Sequence, residues 1–239
     1  MKKKPQRLQV FLSHNDDCSR RTAMDWVQKG KVSVNGEIVL EPSFAVDPQK
    51  DKVCVNGKRI TEKAYQYLML NKPSGYLTTK ADPHAAKTIY QLLPRRFRIL
   101  APVGRLDKLS EGLLILTNDG GVAHKLTHPR YNIQKDYQVR LAGRLSPPER
   151  MKVERGVYLD GKRTAKAKIR VLKTKKDFTD CVITIHEGRK RQVRRMFAAV
   201  RHKVIYLKRV SQGPLRLTGL KVGAWRPLNA REKEKLYQL

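Results

Sequence analysis

The sequence predicts an α+β protein in two parts, a small helix-and-hairpin module over residues 1–61 and a larger domain over 62–239. The larger part reads as a mixed, mostly antiparallel sheet flanked by helices. Three observations predict this. Asn-Gly dipeptides at 35–36 and 56–57 follow short β-prone runs, and Asn-Gly is a strong hairpin signal. Residues 135–141 alternate, with Tyr137, Val139 and Leu141 on one face and Asp136, Gln138 and Arg140 on the other. Two apolar runs, 99–103 and 113–117, bracket a polar insert carrying Arg105 and Asp107 and read as buried strands.

In the first part, residues 7–14 form a short amphipathic helix with Leu8, Phe11 and Leu12 on one face. Ser19 is placed to cap a helix over 20–28, and Gly30 to end it. Strands over 31–34 and 37–39 then flank the first Asn-Gly, and 52–55 precedes the second. Arg20, Arg21, Lys29 and Lys31 lie near the two ends of one helix, where phosphates could be gripped; a solvated basic helix is the plainer alternative.

Residues 62–64 read as a linker. A strand over 65–70 runs into the turn Asn71-Lys72-Pro73-Ser74-Gly75, where Lys72 is placed for a phosphate or a structural contact. A polar loop over 81–86 precedes a short helix over 88–93, stopped by Pro94. A helix over 122–127 is halted at His128-Pro129, and Ser146-Pro147 opens another that Gly156 closes. Strands follow over 165–172, 179–185 and 204–210, and Asn229 with Glu232 gives a capping-box start to the last helix.

Charge bounds the function. The chain has 52 basic and 21 acidic residues, net +31, an electrostatic footprint for a polyanion. Residues 1–61 hold 12 basic and 7 acidic side chains, and 62–239 hold 40 and 14. The larger domain must therefore touch the polyanion itself. A membrane fits least, because no run approaches the ~20 apolar residues of a spanning helix. The apolar run 10–12 is also too short for a signal-peptide core. A cytoplasmic protein is expected. Three cysteines without metal-like spacing read as reduced thiols, and His124 with His128 lacks the further ligands a metal site needs.

The insert poses the chemical question. An Asp held between two core strands needs a partner or a task, since an unpaired buried carboxylate is costly. A structural ion pair is the plain reading for such a residue. In 186–197, Val193, Met196 and Phe197 make an apolar helical stripe continued by Val200. Arg191, Arg194 and Arg195, spaced i, i+3 and i+4, then share a neighbouring face as a nucleic-acid or anion surface.

The string GRLDKLSEGLLILTNDG at 104–120 resembles the signature of pseudouridine synthases, of the RsuA-like branch that modifies ribosomal RNA. Lys72-Pro73 with Gly75, Lys135 with Tyr137 and Val139, EGRKRQVRRM at 187–196, and Leu207 with Arg209 resemble its other motifs. SRRTAMDWVQKGKVSVNG at 19–36 resembles the RNA-binding domain first seen in ribosomal protein S-four. The resemblance implies that Asp107 is the essential carboxylate, that Arg194 pairs with it, and that Arg105 holds or replaces the extruded nucleotide. It implies that Tyr137 and Leu207 sandwich the base. It also implies isomerisation of uridine without a cofactor or metal, on ribosomal RNA or a pre-ribosomal particle, large subunit favoured, by a monomer. Arg201 and Gln212 depart from the family pattern, which often has Gly and Ile there. The alternative is a non-catalytic RNA-binding or ribosome-assembly factor with the same fold.

Overall fold

The computed structural model describes residues 5–16, 18–80 and 87–239, so the loop expected over 81–86 lies outside the described residues. The chain divides into two compact units, Met1–Gln66 and Tyr67–Leu239.

In the first unit, helices Leu8–Asn15 and Arg20–Gln28 pack with a four-stranded sheet. Its strand order is Glu37–Ile38, Val32–Val34, Val53–Val55, Lys58–Arg59. Both Asn-Gly pairs take left-handed backbone, with φ of 55° and 95° at Asn35-Gly36 and 47° and 76° at Asn56-Gly57. That is the twist a two-residue hairpin needs. Ser19 caps the second helix by accepting from the Thr22 amide at 3.0 Å. The first helix begins one residue later than expected, because Gln6 and Arg7 pair with Val46 and Ala45 as a short antiparallel ribbon. Leu8, Phe11, Leu12, Ala23, Val27 and Val32 lie in its core.

The second unit is a nine-stranded mixed sheet. Its main path runs Lys168–Thr174, Phe178–Ile185, Lys135–Ala142, Val204–Gln212, Glu111–Thr117, Tyr67–Lys72, Trp225–Pro227. Among the described residues every strand pairing in this sheet is antiparallel except one: Val204–Gln212 runs parallel to Glu111–Thr117. That join is tight. A Cβ on Gly112 would sit 2.1 Å from the Arg209 carbonyl oxygen, so only glycine lets the two backbones meet.

The central strands are buried on both faces, which explains why they read as continuous apolar runs. Leu68, Leu70, Leu114 and Leu116 enter one core with Val139, Met196, Phe197 and Leu207. Tyr67, Met69, Leu113 and Ile115 enter another with Val122, Leu126, Leu228 and Leu236. Lys135–Ala142 keeps its alternation, with Tyr137, Val139 and Leu141 buried. Capping boxes start helices Pro147–Arg155 and Ala230–Tyr237. Several elements differ from expectation: Asn71 and Lys72, expected in a turn, extend the strand Tyr67–Lys72, and the strand expected over 165–172 starts at Lys168. The helix over 88–93 is a single 3₁₀ turn, Ile89–Leu92, because Pro94 follows too soon for an α-helix. The strand over 99–103 shrinks to Ala101–Pro102, extended by a bond from the Val103 amide to the Ile115 carbonyl at 2.7 Å.

Candidate active site

A cleft of about 850 Å³ opens in the second unit, and Arg105, Asp107, Tyr137 and Leu207 all line it. The segments that meet there include the turn after Ala101–Pro102, the strands Lys135–Ala142 and Val204–Gln212, and the basic stretch before helix Gln192–Ala198. Tyr137 and Leu207 are largely buried, so their exposed remnants face the cleft. Asp107 is half-buried and Arg105 exposed.

The turn bearing Asp107 is fixed from several sides. Thr78 Oγ1 accepts from the Leu106 amide at 3.3 Å and donates to the Leu106 carbonyl at 2.9 Å. The Ser110 amide closes the turn on the Asp107 carbonyl at 3.0 Å, and the Gly75 amide donates to the Lys108 carbonyl at 2.8 Å.

Lys72 corrects the sequence reading. Of the two roles open to it, RNA-phosphate contact or structural contact, it takes the structural one: it is 0% exposed and cannot reach a phosphate. Its Nζ donates to the carbonyls of Ser110 at 2.8 Å, Pro73 at 3.0 Å, Asp107 at 3.2 Å and Lys108 at 3.3 Å. The Asp107 turn is thus wrapped around a buried ammonium. Burial pushes Lys72 down to about 8, with Glu111 and Asp107 pulling in the opposite sense.

The basic helix is a second correction. Arg191 lies before the helix in left-handed backbone, φ 50°, so the three arginines do not share one face. They part company. Arg191 lines the cleft. Arg195 turns to Asp160, giving two bonds of 2.6 and 2.9 Å, so its charge is already partnered. Arg194 does not form the expected ion pair with Asp107. It donates from Nη2 to the Leu109 carbonyl and from Nη1 to the Val204 carbonyl, each at 2.9 Å. Burial and the charge of Arg191 hold its guanidinium below the ordinary value, with Asp107 acting the other way. The charge of Arg194 therefore reaches Asp107 through space, while its fork ties the Asp107 turn to the sheet.

Sequence reasoning missed Lys135, Arg209 and Gln212 as cleft residues. Tyr137 pairs with Arg209 and Asp136 with Ser211, leaving Val210 as an extra residue in a β-bulge. The bulge lets Arg209 and Gln212, three apart, both face the side of Tyr137 and Lys135. Among the described residues, Nη2 of Arg209 and Oε1 of Gln212 are buried without a hydrogen-bond partner. Burial and then Arg209 push Lys135 down to about 8, with Glu187 opposing. Its Nζ donates to the Ile133 and His186 carbonyls at 3.3 and 3.4 Å.

In the first unit, Arg20, Arg21 and Lys31 are exposed. Lys29 is exposed but paired with Asp25 at 2.9 Å, an ion pair that an RNA phosphate must compete with. Among the described residues no helix is long and apolar enough to cross a membrane. None of their His, Cys, Asp and Glu side chains gather into a group of three that could hold a metal ion.

The arrangement provides a carboxylate on a rigid turn, a tyrosine ring and a leucine to bound a flat base, and a cationic wall for an anionic polymer. Comparison with known proteins gives the family. Residues 66–199 match the RNA pseudouridylate synthase family and residues 6–52 the S4 domain, the S-four module of the sequence reading. The ribosomal large subunit pseudouridine synthase B of Bacillus subtilis (strain 168) is 41% identical, covering 98% of this chain and 96% of the relative. An uncharacterized RNA pseudouridine synthase of Aquifex aeolicus (strain VF5) is 39% identical over 97% and 94% of the two chains. A crystal structure of a pseudouridylate synthase superposes with a TM-score of 0.70 at 34% identity, covering 97% of this chain and 99% of that one. The chain therefore belongs to the RNA pseudouridylate synthases, isomerases that act on RNA, and carries an S4 domain at its amino end.

Proposed function

We propose that the protein converts a specific uridine of ribosomal RNA to pseudouridine, large-subunit RNA favoured, with Asp107 as the acting carboxylate. The observation that carries this reading is the meeting of Asp107, Tyr137, Leu207 and a row of cations in one cleft. The large-subunit preference is supported by the name of the Bacillus subtilis relative.

The reaction is an isomerisation. The bond from ribose C1′ to ring N1 breaks, a bond from C1′ to C5 forms, the C5 proton leaves and N1 regains one. Nothing is oxidised and no group enters, so the chemistry asks for no redox cofactor. A carboxylate suits it, acting covalently or relaying protons as in glycosidases. The target base must first leave its stack, at a cost of a few kcal/mol unless it already lies in a loop. Arg105, exposed at the mouth, is placed to hold or replace the extruded nucleotide. Tyr137 and Leu207 bound the ring, and stacking on such a side chain contributes ~1–3 kcal/mol. Arg194 and Lys72 act as positioning residues through the turn. Arg20, Arg21, Lys29, Lys31 and Arg191 supply phosphate contacts, and the enzyme works as a cytoplasmic monomer on free ribosomal RNA or a pre-ribosomal particle.

The test is Asp107→Asn, close to isosteric and unable to act as a carboxylate. It is expected to bind ribosomal RNA as the unaltered protein does and to form no pseudouridine. Unchanged product formation would remove Asp107 from the mechanism. Pseudouridine mapping of both ribosomal RNAs in cells lacking the gene gives the address; a loss confined to small-subunit RNA overturns the large-subunit assignment.

A further inference from the structure

A second depression, of about 650 Å³, lies away from the Asp107 cleft and shares no lining residue with it. It is bounded by helix Pro147–Arg155, by the hairpin of Tyr158–Leu159 and Lys162–Arg163, and by Ala199 just past helix Gln192–Ala198. Tyr158 is 72% exposed and Met151 44%, an apolar surface that serves no core. Lys152, Arg155 and Arg163 stand around it, and no acidic residue lines it.

The hairpin is built to hold Tyr158 outward. Asp160 and Gly161, with φ of 51° and 73°, make its two-residue left-handed turn. Gly156 brings the strand against the hairpin, since a Cβ there would lie 2.4 Å from the Thr164 carbonyl oxygen. Asp160, in the turn of the hairpin, is occupied by Arg195. Arg189, which lines the catalytic cleft, donates to the Lys162 carbonyl at 2.9 Å and the Arg163 carbonyl at 2.7 Å. One guanidinium thus borders the cleft and fixes the backbone of the hairpin.

We propose that this groove is a second RNA site, where an unpaired base of the substrate flanking the target nucleotide stacks on Tyr158 while Lys152, Arg155 and Arg163 take its phosphates. The proposal rests on RNA being the substrate, yet it concerns a surface that Asp107 does not touch. An exposed aromatic ring ringed by cations is the pairing single-stranded nucleic acid needs, a π-face for the base and charge for the backbone. Arg189 links the two, since it lines the cleft and holds the backbone of the hairpin that carries Tyr158.

The experiment compares Tyr158→Ala and Tyr158→Phe with the unaltered enzyme, in binding of a labelled oligouridylate and in steady-state pseudouridine formation on ribosomal RNA. Because Tyr158 is exposed, melting temperature should not move. Tyr158→Ala is expected to raise Kd and KM roughly five- to tenfold, the lower end of base–aromatic stacking, with kcat unchanged. Tyr158→Phe should restore both. Lys152→Gln with Arg155→Gln should flatten the slope of log Kd against log salt by roughly 0.7 for each phosphate no longer neutralised. Photocrosslinking of RNA carrying 5-iodouridine should map to Tyr158. Unchanged Kd and KM in Tyr158→Ala, or crosslinks confined to the Asp107 cleft, would overturn the proposal. If the unaltered enzyme formed no pseudouridine, the functional reading would fail while the binding and crosslinking arms still judged the groove.

Discussion

The ammonium group of Lys72 lies 3.2 Å from the main-chain oxygen of Asp107 and 2.8 Å from that of Ser110, so a buried cation forms the hub of the Asp107 turn. Replacing it with methionine keeps the bulk and leaves those carbonyls facing an apolar chain. Lys72→Met is expected to destabilise the fold by about 3 kcal/mol, since buried groups that lose a charged partner bear their full desolvation cost. Denaturant unfolding measures this. Lys72→Arg should not rescue it, because a flat guanidinium cannot occupy the cage of a compact ammonium.

Arg194 spans two carbonyls that belong to different parts of the chain, Leu109 and Val204. Lysine keeps the charge near Asp107 but cannot bridge both oxygens. Arg194→Lys should therefore separate the two roles. If the fork is what matters, kcat falls about tenfold to a hundredfold while KM for RNA holds, as expected for a misplacement on the order of 1 Å. Wild-type kcat in Arg194→Lys would show that charge alone suffices.

These two residues mark where the sequence stops being legible. Caps and turns were readable because their chemistry is local: Ser19 meets Thr22, and Asn-Gly adopts its left-handed backbone within two residues. Asp107, Tyr137 and Leu207 could be grouped only through the resemblance, and the cleft does bring them together. The partners of Lys72 and Arg194 are main-chain carbonyls, which leave no trace in residue identity. The alternation rule places Arg209 and Gln212 on opposite faces, and only the extra residue Val210 reverses that. Helical spacing likewise grouped Arg191 with Arg194 and Arg195, but the helix starts one residue too late.

Gly112 gives a sharp test of the parallel join between Val204–Gln212 and Glu111–Thr117. An alanine Cβ would meet the Arg209 carbonyl oxygen at 2.1 Å, and φ of 105° is strained for any L side chain. The obstacle is backbone on a central strand, so no side chain can swing away. Gly112→Ala should lower stability by about 3 kcal/mol or more. It should also depress activity in whatever protein remains folded, because Arg209 donates from Nε to the Leu113 carbonyl at 2.8 Å beside it. A melting temperature equal to that of the unaltered protein would contradict the geometry.

Lys135 sets the pH dependence expected of RNA binding. Burial and Arg209 bring it down to about 8, so it is charged below that pH and neutral above it. Raising the pH from 7 to 9 therefore removes a cation from the cleft, and KM for RNA should rise. Lys72 titrates in the same range, but it is caged beneath the Asp107 turn, so its deprotonation should act on kcat. Lys135→Met separates the two: KM is raised at pH 7 and becomes flat with pH, while the alkaline fall in kcat persists. If KM in Lys135→Met still climbs between pH 7 and 9, the cleft charge being titrated belongs to another residue.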